Sequence, residues 1–148
     1  MTLYSFLLQA HSGWRYVVTI LLLLAIVLSF SGWLGRKPYT PGNRKLNMFA
    51  MISAHTQLLI GIVLYFISPY VQFNSSTMKD ATTRYWTVEH ITMMIFAIVL
   101  ITIGHSRSKK LVLPEAKHRA VAIFYILALL VIALAIVQSQ RGLFGMSQ

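Results

Sequence analysis

The residues with the clearest chemical potential in this chain are ionisable groups set within or beside long apolar runs. They are His11, His55, His90, His105, His118 and Glu89. An ionisable side chain at membrane depth is costly, so such residues usually mark a functional site. Neutral imidazole nitrogens bind metal ions, and haem iron accepts them as axial ligands. The residue types therefore favour a haem site between helices.

Several other chemistries are excluded by what the sequence lacks. The 148 residues include no cysteine, which excludes disulfides, iron–sulfur clusters, thiolate catalysis and covalently attached c-type haem. No Ser-His-Asp set, HExxH motif, P-loop or pair of carboxylates is present, so hydrolytic chemistry has no visible machinery. We expect an electron carrier or a subunit rather than a self-contained enzyme.

The long apolar runs predict the elements that must position these histidines. A hydrocarbon core of about 30 Å requires about 20 apolar residues in a helix. Four runs reach or approach that length, at residues 14–33, 46–68, 86–104 and 118–137. The runs are continuous rather than alternating, and a bilayer offers no partner for unpaired backbone groups, so helices are favoured over strands. We predict an all-α fold, an integral membrane four-helix bundle that forms one domain over residues 1–148.

The basic residues predict the orientation of this bundle. Thirteen Lys and Arg against three acids would suggest a nucleic-acid partner in a soluble chain, but here they flank apolar runs, so we predict a lipid partner and no nucleic acid. Residues 36–45 and 105–119 carry nine of the thirteen, whereas Arg15, Lys79, Arg84 and Arg141 belong to the opposite face. The positive-inside rule makes the nine-charge face cytoplasmic and leaves both termini on the non-cytoplasmic side.

His11 and His90 form the most promising pair. They belong to parallel helices in the outer half of the predicted bundle, where they would face each other as axial ligands of haem iron. The alternative is that each hydrogen-bonds a neighbouring carbonyl or Glu89. Counted from Arg36 and Arg107, the two histidines differ in depth by about 12 Å. Tilt, or a bend near Gly13, must absorb that difference.

Two arginines and one glutamate accompany this pair. Arg15 lies one turn after His11 and Arg84 precedes His90, so both are candidates for contact with haem propionates. The alternative for each is snorkelling to lipid headgroups. Glu89 points about 100° away from His90, so it is a candidate for proton handling or for an ion pair with Arg15 or Arg84, and the interfacial ion pair is the simpler interpretation.

The remaining histidines raise the question of a second haem. His90 and His105 are fifteen residues apart and fall within about 60° of the same helix face. A second haem at His105 would need His55 or His118 opposite it. The simpler interpretation of His105 and His118 is that they lie at the cytoplasmic boundary among Lys and Arg, with no ligand role.

Five segments also carry a resemblance that covers almost the whole chain. They are HSGWRY (11–16), AHTQLLIG (54–61), VEH (88–90), GHSR (104–107) and KHR (117–119). Together they resemble small four-helix bacterial membrane proteins labelled cytochrome b-like. The resemblance implies haem b, a multi-pass location in the bacterial inner membrane, and quinol or other respiratory-complex subunits as partners.

A looser similarity is to one half of haem A synthase, a four-helix bundle with outward-facing histidine ligands on parallel helices. In this chain His11 and His90 would match those ligands. That family has a glutamate three residues before its first histidine, where this chain has Leu8, and it contains two such halves. Haem hydroxylation is therefore not expected.

Two functional alternatives to a b-type cytochrome stay open at this stage. One is a haem-free accessory or assembly subunit of a larger membrane complex, in which the histidines are structural. The other is a proton- or metal-linked transporter that uses Glu89 and the histidines, although one four-helix chain would need to oligomerise to enclose a path.

Overall fold

The computed structural model describes residues 2–69, 71, 73–74 and 76–138. Arg141, which the topology prediction counts on its outer face, lies outside the described residues. The helices are α1 (Leu3–Leu34), α2 (Pro41–Ile67), the short α3 (Ala81–Arg84), α4 (His90–Lys110) and α5 (Pro114–Gln138), and one π-helical turn (Tyr85–Glu89) joins α3 to α4. Among the described residues, four helices are long and apolar enough to cross a membrane, namely α1, α2, Thr87–Lys110 and α5. The prediction of an all-α chain with four such helices is confirmed.

The helices extend beyond the apolar runs that predict them. α1 begins at Leu3 rather than at residue 14, and the Thr2 hydroxyl caps it by accepting from the backbone N–H of Ser5. α4 continues past residue 104 to Lys110. An apolar run marks only the part of a helix suited to hydrocarbon, whereas polar residues continue the same backbone hydrogen bonding into the interface.

The four long helices occupy the corners of a square. α1 packs against α2 and α5, and α4 packs against the same two helices. α1 and α4 therefore stand at diagonal corners and face each other across the interior. Residues 35–40 and 111–113 connect antiparallel neighbours at one end, which we call the basic end. The start of α1, the described residues between 68 and 80, and the end of α5 lie at the opposite end, which we call the terminal end.

The side chains are distributed as expected for a bundle whose solvent is lipid. Many positions of zero or near-zero exposure carry alanine, serine or glycine, whereas large apolar side chains such as Phe66, Val27 and Leu130 are more than half exposed. Lipid tails are as apolar as leucine, so close packing rather than apolar burial selects the interior residues. At Gly104, for example, an added Cβ would lie 2.7 Å from Cβ of Phe124, which shows how closely α4 approaches α5.

The half of the bundle toward the basic end is filled. Leu22, Ala50, Ile101, Val121 and Tyr125 are completely buried there. The hydroxyl of Tyr125 donates to the backbone carbonyl of Asn47 at 2.7 Å, which joins α5 to α2. This half is a packed core, and the open space of the bundle lies toward the terminal end.

Candidate functional site

An elongated cavity occupies the half of the bundle toward the terminal end. Its volume is about 160 Å³, roughly ten times that needed for one water molecule. On α1 its wall runs from Tyr4 to Thr19, about 22 Å at 1.5 Å per residue. Side chains from all four long helices line it, and most of them are apolar. The polar side chains that face it include His11, His90, Arg15, Gln57 and Tyr85.

His11 and His90 face each other across this cavity from diagonal helices. Their ring centroids are 6.4 Å apart and their planes are inclined by 77°. The depth difference of the two histidines is smaller than the sequence predicts. The prediction counts the depth of His90 from Arg107, but α4 continues three residues beyond it. From His11 to the end of α1 is 23 residues, and from His90 to the end of α4 is 20, a difference of about 4.5 Å. α1 passes through Gly13 as one helix, so the bend considered there is not needed.

The π-helical turn aligns Tyr85 with His90. The backbone N–H of His90 donates to the carbonyl of Tyr85 five residues earlier. In an α-helix two residues five apart point about 140° away from each other, but the wider i→i+5 turn brings them to the same side of the helix. The two rings accordingly lie 5.7 Å apart, and the Tyr85 hydroxyl is 3.2 Å from Nδ1 of His90.

This contact fixes the tautomer of His90. The Tyr85 hydroxyl donates to the backbone carbonyl of Ala135 on α5 at 2.6 Å. Having used its only hydrogen, the hydroxyl accepts from the Nδ1–H of His90. The neutral imidazole therefore carries its lone pair on Nε2, the arrangement typical of a metal-binding histidine whose other nitrogen is held by a hydrogen bond.

His11 has a different environment. Its Nδ1 is buried and has no hydrogen-bond partner among the described residues. Gln57 on α2 donates to the backbone carbonyl of His11 at 2.7 Å, and the buried Oε1 of the same glutamine has no partner in the described part of the chain. Gly61, one turn further along α2, leaves room for the ring, since an added Cβ would lie 3.3 Å from Cε1 of His11. Buried polar atoms normally have partners, and because His11 and Gln57 both line the cavity, a bound group there would supply the partners that these two atoms lack.

The two candidate arginines are placed differently. Arg15 lines the cavity one turn from His11, with its guanidinium 5.3 Å from the ring centre of Tyr16. Arg84 instead donates through Nε to Glu89 at 2.8 Å and through Nη1 to the carbonyl of Met78 at 3.1 Å. The predicted ion pair of Glu89 is thereby confirmed, with Arg84 as its partner. Arg84 and Glu89 are also five residues apart, so the same π turn aligns both pairs.

The other three histidines are not among the cavity-lining residues. Nε2 of His55 lies 2.8 Å from the hydroxyl of Thr102, which itself donates to the carbonyl of Ile98, so His55 is the donor between them. His105 is buried toward the basic end of α4. His118 is buried as well, and its Nε2 lies 3.1 Å from the carbonyl of Pro38.

The side chains that can bind a metal at this cavity restrict which metal or cofactor it can hold. Within the described ranges no three or more His, Cys, Asp or Glu side chains are grouped to hold a metal ion, as a structural zinc site would require. Two imidazoles, however, suffice for haem, because the porphyrin supplies the other four nitrogens. Comparisons with protein-family models, with curated proteins and with solved structures found no match to this chain.

Two residues of the site were missed by the sequence interpretation. Tyr85 is not singled out by the sequence, since α-helical periodicity would put it on a different face from His90. Gln57 was passed over inside its apolar run. A polar amide at the centre of a membrane-spanning segment was the available signal for Gln57, since such groups need a partner in the bundle interior.

Proposed function

We propose that this chain is a membrane b-type cytochrome that holds one haem b between His11 and His90. The observation that carries the proposal is the 6.4 Å separation of the two rings inside an apolar cavity. A metal–imidazole bond of about 2 Å, with about 1 Å more from nitrogen to ring centre, puts two ligands on opposite sides of one metal roughly 6 Å apart. The two rings therefore fit axial ligation of a single iron.

The side chains around the two histidines also support the binding of haem. The apolar wall excludes water from a macrocycle, and Arg15 offers a charge-assisted hydrogen bond to a propionate. Arg15 lines the cavity, whereas Arg84 is not among its lining residues, so we assign the propionate contact to Arg15. Bound haem supplies one-electron transfer, at a potential set by its axial ligands and its burial.

One haem is proposed rather than two because the other half of the bundle is filled. Leu22, Ile101 and Tyr125 are completely buried there, and none of the three is among the residues that line the cavity. His55, the partner considered for His105, donates its Nε2 hydrogen to Thr102 instead.

The cellular setting follows from the charges and the resemblance to small bacterial cytochrome b-like proteins. Nine of the thirteen Lys and Arg belong to the basic end, so we propose that this end faces the cytoplasm of a bacterium and that the termini and the haem lie toward the non-cytoplasmic side. The chain would then act as an electron carrier or a respiratory-complex subunit, with quinol or a partner cytochrome as electron donor.

The test is a reduced-minus-oxidised absorption spectrum of detergent-purified protein expressed with adequate haem. Wild type should give a low-spin b-type signal. His11→Ala and His90→Ala should each remove that signal or convert it to high spin, whereas His118→Ala is the matched control and should retain it. A colourless wild type would overturn the proposal in favour of a haem-free accessory subunit. An unchanged spectrum in both cavity variants would move the ligands to His55 and His105.

A further inference from the structure

The two facing histidines differ in how firmly the bundle holds them. His90 is connected through the Tyr85 hydroxyl to the Ala135 carbonyl, a chain of two hydrogen bonds from α4 to α5. Tyr85 is itself only 6% exposed, so this chain is shielded from competing water. A ligating histidine whose other N–H is donated in this way is oriented and is a stronger electron donor to the metal.

His11 lacks such support within the described residues. Its Nδ1 is buried without a hydrogen-bond partner, so no acceptor orients the ring or increases its basicity. The position on α2 that the ring faces is Gly61, which has no side chain to hold it; an added Cβ there would lie 3.3 Å from Cε1 of His11. The contact that fixes His11 is made by its backbone, whose carbonyl accepts from Gln57.

We propose that His90 is the anchoring ligand and His11 an exchangeable one, so that a neutral diatomic ligand of ferrous haem binds on the His11 side. This inference rests on the proposed function. In the exchange the bond from iron to His11 breaks and a bond from iron to the diatomic forms, with no electron transferred and no proton released. The protein would therefore bind a diatomic gas in addition to carrying electrons.

Carbon monoxide is the probe, titrated into the dithionite-reduced, haem-loaded full chain. Wild type should bind it, and His11→Ala should bind it about tenfold more tightly if His11 occupies the iron about nine-tenths of the time. His11→Ala should also retain haem through detergent exchange, whereas His90→Ala should lose most of it. Absence of CO binding to haem-loaded wild type, or equal haem loss from the two variants, would overturn the inference and leave the proposed function intact. A wild type without haem would overturn both.

The role of Tyr85 is tested in the His11→Ala background, where His90 is the single axial ligand. Adding Tyr85→Phe should lower the iron–histidine stretching frequency in resonance Raman spectra, because Nδ1–H of His90 loses its acceptor. Tyr16→Phe is the matched control, since Tyr16 is not among the cavity-lining residues, and it should leave the frequency unchanged. A purely structural role for Tyr85 would leave the frequency where it is and would refute the anchoring argument.

Discussion

Gly32 and His118 provide a stringent test of how α1 meets α5. A Cβ added at Gly32 would lie 2.5 Å from three atoms of the His118 ring. The ring cannot retreat freely, because its Nε2 is held 3.1 Å from the Pro38 carbonyl and it makes a T-shaped contact with Tyr39, with ring centroids 5.0 Å apart. We therefore expect Gly32→Ala to destabilise the bundle.

The magnitude follows from the displacement that the new methyl group requires. Carbon contacts are optimal near 3.5 to 4.0 Å, so the ring must move by about 1 Å or more. Overpacking of this kind costs about 1–3 kcal/mol, and loss of the His118 hydrogen bond costs roughly 0.5–1.5 kcal/mol. Alanine recovers up to about 1 kcal/mol of helix propensity relative to glycine. The expected net loss in the free energy of unfolding is about 1–3 kcal/mol.

The assay is reversible unfolding in mixed detergent micelles, followed by tryptophan fluorescence. Gly13→Ala is the matched control, because nothing lies within 4 Å of a Cβ at that position of the same helix, and it should be neutral or stabilising. In a His118→Ala background the penalty of Gly32→Ala should largely disappear. Equal effects of the two glycine substitutions, or a penalty that persists without the His118 ring, would refute the predicted clash.

Three further predictions concern the orientation, the packing and the site. An impermeant thiol reagent added to intact cells that express single-cysteine variants should label a cysteine at position 78 (Met78, 61% exposed) and spare one at position 112 (Val112, 87% exposed). The reverse pattern would show that the predicted topology is inverted. Trp14→Phe removes an indole hydrogen bond of 2.8 Å to a carbonyl of α2 and should lower the unfolding free energy by about 1 kcal/mol. Gly61→Leu should abolish the low-spin haem spectrum by displacing His11, whereas Gly13→Leu should preserve it.

The architecture could be predicted from sequence because the bilayer permits few solutions. Long continuous apolar runs have to be helices, and His11 and His90 share one half of the bundle once those helices alternate in direction. The helix ends could not be predicted in the same way. Polar residues such as Ser106 and Lys110 continue α4 beyond the apolar run, and an anchor placed at Arg107 therefore misjudged the depth of His90.

His118 shows a second limit of prediction from sequence. His118 was interpreted as an interfacial group because Lys117 and Arg119 flank it, yet its exposed fraction is only 2%. Its burial depends on Gly32, 86 positions earlier in the sequence, which leaves space for the ring against α1. A contact of that kind requires the packing of two helices to be known, and no local pattern around either residue reports it.

The π turn is where the fold and the candidate site depend on each other most closely. A π turn is a rare departure from α-helical geometry that is often found at functional sites, so its position needs a local explanation. Here it brings Tyr85 into contact with His90 and Arg84 into contact with Glu89, two pairs that an α-helix would separate by about 140°. The ion pair is about one-third exposed, and pairs of that kind add little stability. The buried Tyr85 contact therefore gives the stronger reason for the turn, and its consequence is a His90 ring held toward the cavity with its lone pair on Nε2.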